Sequence, residues 1–199
     1  MSKIFEKLIL LRIQDIEKTY KIDLTGKSQY GFKANHSTCL AGQRLQSILT
    51  KALEKGEYAL MSSIDLSAAF DVVNVELLLK RLNIIGLPND VMELIRIWLK
   101  ERYFYVNIEN MNSYVHTSNV GTIQGSILGP ILYSLFVSPL LDLTYLTLFA
   151  DDNYIIRSNT NLEALINDMK LSLEMITKWL KESGLKVNEG KTYKGSTPD

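Results

Sequence analysis

The sequence predicts an α+β fold in which an antiparallel sheet carries helices on one face. Tyr58–Asp65 is an apolar run with the composition of a strand. Residues 145–149 and 154–156 are short β-prone runs on either side of Asp151-Asp152, and they predict a hairpin with the acidic pair at or beside its turn. Stretches with apolar residues at helical spacing alternate with these strands along the chain.

Two helices are predicted before the Tyr58–Asp65 strand. Residues 3 to about 20 keep one apolar face, which is formed by Ile4, Phe5, Leu8, Ile9, Ile13 and Ile16. After the polar loop Thr25–Asn35, Ser37 or Thr38 is expected to cap the second helix and Gly56 to end it. Its expected inward-facing residues are Leu40, Leu45, Ile48, Leu49 and Leu53.

Two further helices are predicted after this strand. Asn74 is the expected N-cap of the third helix, which runs through Leu82, and Gly86 is its stop signal. Pro88 is expected to start the fourth helix, because its fixed φ suits the first helical turn. The apolar positions of the fourth helix are Val91, Leu94, Ile95 and Trp98, and they are expected to face the core.

A hairpin and a fifth helix come next in the prediction. Residues 103–108 and 114–117 are β-prone runs around a polar turn, which is the pattern of a hairpin. Gln124-Gly125-Ser126 then opens a helix from about Ile127 to Leu141, and Pro130 is tolerated near its first turn.

The last helix begins at Thr160-x-x-Glu163, which has the pattern of a capping box. It is expected to bury Leu162, Leu165, Ile166, Met169, Leu173, Ile176 and Leu180. Gly184 is the predicted stop, and Leu185–Asn188 is predicted as a short strand.

Three carboxylates lie at strand ends. Asp65 ends an apolar strand, and Asp151 and Asp152 are adjacent in the hairpin turn. An acidic pair is costly to desolvate, and a turn alone would be better served by Asn-Gly or Asp-Gly. If the acidic pair stood alone in a sequence, the simplest interpretation would be a solvated acidic turn. Together with Asp65 it offers the oxygen ligands that Mg²⁺ takes from proteins.

Four segments, in this order, resemble the motifs of reverse transcriptases of non-LTR retrotransposons. Residues 29–38 resemble the Q-x-G-F-[RK]-x-x-x-S-T segment, and residues 65–71 the D-x-x-x-[AS]-F-D motif. Residues 124–130 are similar to Q-G-x-x-x-[SG]-P, and Phe149-Ala150-Asp151-Asp152 to [FY]-x-D-D. The resemblance runs from Ile4 to about Thr192.

The resemblance implies a polymerase palm with partial fingers and no thumb, in a chain that looks truncated at both ends. Residues 1–56 would form the partial fingers and residues 57–199 mostly the palm. The implied reaction is RNA-templated DNA synthesis with two Mg²⁺ ions, for which Mn²⁺ would be a substitute. The implied partners are an RNA template, a DNA primer and deoxynucleoside triphosphates.

The resemblance also implies the catalytic roles. Asp65, Asp151 and Asp152 would be the catalytic carboxylates and metal ligands, and the backbone carbonyl of Leu66 would complete the coordination. Lys191 would donate a proton or charge to the leaving pyrophosphate. Without the motif, Lys191 would be an ordinary solvated lysine.

Four more residues are expected near the incoming nucleotide. The Phe70 ring would exclude a ribose 2′-hydroxyl, and Gln124 and Gly125 would lie near the nucleotide and template. Lys33 stands where the family often has arginine and would neutralise the triphosphate without a planar fork. Asp71 is expected to be structural, as a helix cap. Without the motifs, Phe70 would be a core aromatic and Gln-Gly a turn.

The composition leaves few other classes open. Of 199 residues, 46% are hydrophobic and 22% charged with a formal net charge of zero, which fits one globular domain and argues against strong autonomous binding of nucleic acid. Cys39 is the single cysteine, so an internal disulfide is excluded. No apolar run reaches the length of a membrane span, and the N-terminus is not a signal peptide. The expected location is intracellular, in the cytoplasm or the nucleus, and the oligomeric state stays open.

Two alternatives remain. One is a catalytically impaired, truncated copy that only binds nucleic acid. The other is a different palm polymerase, such as a mobile-intron or retron reverse transcriptase. An RNA-dependent RNA polymerase is disfavoured, since Phe70 stands where such enzymes commonly place a polar residue for the 2′-hydroxyl.

Overall fold

The computed structural model describes residues 2–100, 102–118, 120–144, 146–149, 152–188 and 193–195. The chain divides into two compact units. The first unit comprises Met1–Ile22 and Phe70–Phe136, and the second comprises Asp23–Ala69 and Val137–Asp199. Within the described residues the fold is α+β with antiparallel strand pairing, as the sequence predicts.

The helices lie close to their predicted positions. The described helices are α1 (Ser2–Tyr20), α2 (Thr38–Glu54), α3 (Val75–Ile85), α4 (Asn89–Leu99), α5 (Leu128–Thr144) and α6 (Leu162–Glu182). In the first unit α4 packs against both α1 and α3. In the second unit α2 packs on the strands Tyr58–Ile64, Thr147–Phe149 and Asp152–Asn159, and α6 packs on the first and third of them.

The strands form one four-stranded sheet and three two-stranded pairs among the described residues. Their bounds are β1 (Tyr58–Ile64), β2 (Leu66–Ser67), β3 (Arg102–Phe104), β4 (Asn107–Ile108), β5 (Met111–Asn112), β6 (His116–Ser118), β7 (Thr147–Phe149), β8 (Asp152–Asn159), β9 (Lys186–Val187) and β10 (Tyr193–Gly195). The sheet has the order β10-β1-β8-β7, and every neighbouring pair in it is antiparallel. The pairs β3–β6 and β4–β5 form the predicted hairpin.

Several helix ends are set by local side chains, as expected. Ser37 caps α2 by accepting a hydrogen bond from the Leu40 N–H at 3.3 Å. Asn74 caps α3 by accepting from the Leu77 N–H at 2.9 Å. Gly86 ends α3 with φ +88°, a left-handed conformation that glycine adopts without a steric cost.

The capping box predicted for α6 is wrong by one residue. Asn161, and not Thr160, is the N-cap, and its side-chain oxygen accepts a hydrogen bond from the Ala164 N–H at 3.0 Å. Asn and Thr both cap helices well, so two adjacent candidates compete, and the backbone path into the helix selects one of them.

The buried faces of the helices are narrower than predicted. In α1 the predicted Ile4 and Leu8 are 69% and 61% exposed, and the buried stripe instead includes Glu6. In α2 the buried residues are Ala41 and Ala52, whereas the predicted Leu40 and Leu53 are exposed. In α4 and α6 the predicted Leu94, Leu162 and Ile166 are likewise exposed. Apolar spacing marks a possible face, but the neighbouring element decides how much of it is covered.

Candidate active site

The strand register brings two predicted catalytic residues to one end of the four-stranded sheet. Ile64 at the end of β1 pairs with Asn153 near the start of β8. In this antiparallel register Asp65 comes directly after Ile64, and Asp152 directly before Asn153. Asp152 also pairs with Phe149, so it closes the β7–β8 hairpin beside its turn, as predicted. Asp65 is partly buried and Asp152 is exposed.

Asn188 donates two hydrogen bonds to Asp65. The Asn188 side-chain amide donates to Asp65 Oδ2 at 2.9 Å, and its backbone N–H donates to the Asp65 carbonyl at 2.9 Å. Leu66, which follows Asp65, is buried and pairs with Val187 in the β2–β9 ladder. Sequence reasoning assigned no role to Asn188, because the pairing links residues that are 123 positions apart.

The pKa of Tyr154 responds to the negative charge at this end of the sheet. Burial raises the pKa of its phenol, the charge of Asp152 raises it further, and a hydrogen bond with the Ser63 side chain acts in the opposite direction. The net effect is a raised pKa. Tyr154 therefore lies within electrostatic reach of Asp152.

The donor set fits a hard divalent cation. Asp65 and Asp152 supply carboxylate oxygens, the ligand type that Mg²⁺ prefers, at neighbouring strand ends. Asp151 and Lys191, the other two predicted catalytic residues, lie outside the described residues. Within the described residues, no group of three His, Cys, Asp or Glu side chains is placed to hold a metal ion.

Phe70, in the first unit, is stacked against a buried tyrosine. Its ring centroid lies 4.4 Å from that of Tyr133, with the ring planes at 36°. Tyr133 is fully buried in α5, and Phe70 is partly buried. The Phe70 carbonyl accepts the Thr122 N–H at 2.8 Å. Both its ring and its backbone are therefore fixed within this unit.

Gln124 and Gly125 are exposed in the loop before α5. The Gln124 amide donates to Asp71 Oδ1 at 2.8 Å. Asp71 is therefore bound to the Gln124 side chain, and the expectation that it caps a helix is wrong, since Asn74 is the cap of α3. Gly125 has φ +70°, a conformation that favours glycine.

Glu6 supports the same loop, and sequence reasoning missed it. Glu6 is buried, with 3% relative exposure, and its carboxylate accepts the Ile127 N–H at 2.6 Å. A buried carboxylate is rare unless it is paired or hydrogen-bonded. The one available signal was its spacing of three residues from Ile9 on the buried stripe of α1.

Lys33, in the second unit, forms an ion pair with Asp23 and donates to the Gly26 carbonyl at 3.1 Å. Burial would raise the pKa of Asp23, but the hydrogen bond and positive charge of Lys33, together with Thr25, outweigh it. The pKa of Asp23 is therefore lowered. The Lys33 ammonium, predicted to meet a triphosphate, is here engaged by a carboxylate.

Comparison with known proteins identifies the family. A family model described as reverse transcriptase (RNA-dependent DNA polymerase) matches residues 1–198. The chain belongs to the reverse transcriptase family. The resemblance inferred from the four motifs is thereby confirmed.

Curated reverse transcriptases of mobile elements are similar along almost the whole chain. The RNA-directed DNA polymerase from mobile element jockey of Drosophila melanogaster is 28% identical over 96% of this chain and 22% of that protein. The probable RNA-directed DNA polymerase from transposon BS of the same species is 30% identical over the same shares. The chain thus spans about a fifth of the length of these relatives.

Solved telomerase structures share the fold. Apo telomerase from Candida tropicalis, truncated from its C-terminal domain, matches 98% of this chain and 40% of that chain with a TM-score of 0.69 and 16% identity. Telomerase from Candida albicans in complex with a fragment of telomeric RNA matches 97% of this chain and 35% of that chain with a TM-score of 0.66 and 13% identity.

Among the described residues, no helix is long and apolar enough to cross a membrane.

Proposed function

We propose that this chain supplies the catalytic palm and part of the fingers of an RNA-directed DNA polymerase of a non-LTR retrotransposon. Residues 1–56 are assigned to the fingers and residues 57–199 mostly to the palm. The observation that carries the proposal is the β1–β8 register, which sets Asp65 and Asp152 at the same sheet end in a member of this family.

The proposed reaction joins the 3′-hydroxyl of a DNA primer to the α-phosphate of a deoxynucleoside triphosphate. One oxygen–phosphorus bond forms as the bond to pyrophosphate breaks, and an RNA template selects the base. Asp65, Asp151 and Asp152, with the Leu66 carbonyl, would hold two Mg²⁺ ions. When bound, Mg²⁺ makes the hydroxyl more acidic and neutralises phosphate charge.

The other predicted residues act on the substrates in this proposal. Phe70, backed by Tyr133, excludes a ribose 2′-hydroxyl by van der Waals overlap. Gln124, oriented by Asp71, and Gly125 approach the nucleotide and template. Lys191 protonates the leaving pyrophosphate. These substrates are found within cells, so the proposed location is the cytoplasm or the nucleus.

Primer extension tests the proposal. A labelled DNA primer on an RNA template is incubated with deoxynucleoside triphosphates and Mg²⁺, and chain growth is followed on a gel. Asp65→Asn and Asp152→Asn are each expected to slow extension roughly 10²-fold or more, because several kcal/mol of charge stabilisation is lost. Asp90→Asn, an exposed carboxylate change in α4, is the matched control and should extend at the parent rate.

Two results would contradict the proposal. The first is an absence of extension by a folded parent chain, which would favour the impaired copy that only binds nucleic acid. The second is extension that survives both Asp65→Asn and Asp152→Asn.

For Phe70→Ala, the expected result is incorporation of ribonucleotides that the parent rejects.

A further inference from the structure

The second unit contains a cavity of about 500 Å³ along α2. Of the predicted catalytic and nucleotide-binding residues that the structure describes, none lines it. Its polar lining is formed by Tyr30, His36, Gln43, Arg44, Ser47 and Lys51. No carboxylate stands among the lining residues that the structure describes, so every fully charged side chain among them is a cation, and the ligand should be an anion.

Arg44 and Lys51 give the cavity its charge. They lie seven residues apart on one face of α2, which corresponds to about 10 Å along the helix axis. Arg44 is fixed by a hydrogen bond from Nη2 to Ser28 Oγ at 3.0 Å. In the part of the chain that the structure describes, Arg44 Nε is buried without a hydrogen-bond partner, and neither cation forms an ion pair. Among the described residues, no carboxylate therefore neutralises either charge.

Aromatic rings stand beside these cations. The ring centroids of Tyr30 and His36 are 5.2 Å apart with the planes tilted at 58°. The Tyr30 backbone N–H donates to the Leu148 carbonyl of β7 at 2.8 Å, which fixes its position on the sheet. Cations that bind phosphate next to aromatic side chains that stack on bases are the combination by which proteins hold single-stranded nucleic acid.

We propose that this cavity binds the sugar-phosphate backbone of a single-stranded nucleic acid, with a base against Tyr30 or His36. Phosphates recur every few ångströms along a strand, about 3.4 Å per nucleotide in a duplex, so one strand can reach both Arg44 and Lys51. A free nucleoside triphosphate shares this phosphate chemistry but carries one cluster of charge. The choice of RNA as the strand rests on the proposed function.

Fluorescence anisotropy tests this site with the 199-residue chain and a labelled single-stranded RNA of about 12 nucleotides, within the site sizes known for such proteins. The Arg44→Gln, Lys51→Gln double variant is expected to bind at least about tenfold more weakly, and its slope of log affinity against log salt should be shallower by about 1.4. Lys178→Gln, which removes an exposed lysine on α6, is the control and should retain parent affinity. Thermal unfolding establishes that each variant is folded.

Three results would overturn the proposal: no RNA binding by the parent chain, an equal loss in the Lys178→Gln control, or displacement of the RNA by equimolar free deoxynucleoside triphosphate. The last would identify a nucleotide site. Asp65→Asn separates this proposal from the proposed function, since it should slow primer extension roughly 10²-fold or more and leave RNA affinity unchanged. The Arg44→Gln, Lys51→Gln double variant could lose RNA affinity and still extend a primer at the parent rate on a saturating template. That result would support this site.

Discussion

At the scale of single residues, hydrogen-bonded polar groups fix one loop in each of the two units. The Glu6 carboxylate accepts the N–H of Ile127, directly before α5, and Asn188 holds the carboxylate of Asp65. Each of these groups would be costly to bury without a partner. Because each contact also anchors a loop that precedes or follows a strand or helix, its loss should affect both stability and loop position.

Replacing Glu6 by leucine should destabilise the chain. The partly buried Ile127 N–H would lose its acceptor, at an expected cost of about 1–3 kcal/mol in the free energy of unfolding. Urea unfolding monitored by circular dichroism measures this change. Glu6→Gln keeps an acceptor oxygen and should cost less, so equal losses in the two variants would contradict a role for the hydrogen bond.

The Asp152 charge should be detectable at Tyr154. In Asp152→Asn the pKa of Tyr154 should fall, because the negative charge that disfavours the phenolate is removed, and burial alone would keep it raised. Nuclear magnetic resonance of chain labelled at the tyrosine ring carbons follows the titration, and Tyr154→Phe assigns the signal. An unchanged Tyr154 pKa would show that the two groups do not interact.

At the scale of elements, the first unit joins two loops through their backbones. The Gly121 N–H donates to the Val73 carbonyl at 2.7 Å, and the Thr122 N–H donates to the Phe70 carbonyl at 2.8 Å. Gly121 has φ +78°, and a Cβ atom on it would stand 2.5 Å from the carbonyl oxygen of Asp71. Only glycine allows the two loops to approach so closely.

Gly121→Ala should therefore destabilise the first unit by at least about 2 kcal/mol, since it adds left-handed strain and a clash with backbone. The matched control is Gly42→Ala in α2, where a Cβ meets nothing within 4 Å. This control should stabilise the chain by about 0.5–1 kcal/mol, the usual gain of alanine in a helix. Thermal and urea unfolding compare the two variants, and a tolerated Gly121→Ala would refute the close approach.

At the scale of the whole molecule, charges balance to zero, so local pairing matters more than the overall field. Lys33 and Asp23 are one such pair, and their ion pair links the two ends of the polar loop before α2. The Asp23 pKa is lower in the folded chain than its ordinary value. Its contribution to stability is therefore present above the unfolded-state pKa and is lost as the pH falls through the folded-state value.

Lys33→Met should flatten part of the acid dependence of stability. In the parent chain, the contribution of Asp23 to the free energy of unfolding is lost as the pH falls below about 3.8, the ordinary pKa of this carboxyl. The variant lacks most of that contribution at neutral pH already, so acid removes less of its stability. Urea midpoints measured at neutral and acid pH give the difference. Lys33→Arg retains the charge and should follow the parent, and identical acid dependence in all three chains would contradict the pairing.

Local sequence patterns were sufficient to predict the kinds of element, their order along the chain and the family. Ser37, Asn74 and Gly86 mark helix ends through contacts within a few residues, so local chemistry was sufficient to predict them. The β7–β8 hairpin followed from two β-prone runs around a short turn. The motifs could also be recognised in sequence, because each lies within about ten consecutive residues.

Which polar groups form hydrogen bonds with each other depends on the packing of distant segments. Glu6 reaches Ile127 across 121 positions, Asn188 reaches Asp65 across 123, and Gln124 reaches Asp71 across 53. No local periodicity encodes such pairs, because a hydrogen bond between distant segments depends on which faces the neighbouring elements cover. The same reason explains why Leu8, apolar and correctly spaced, is exposed, while Glu6 on the same helix is buried.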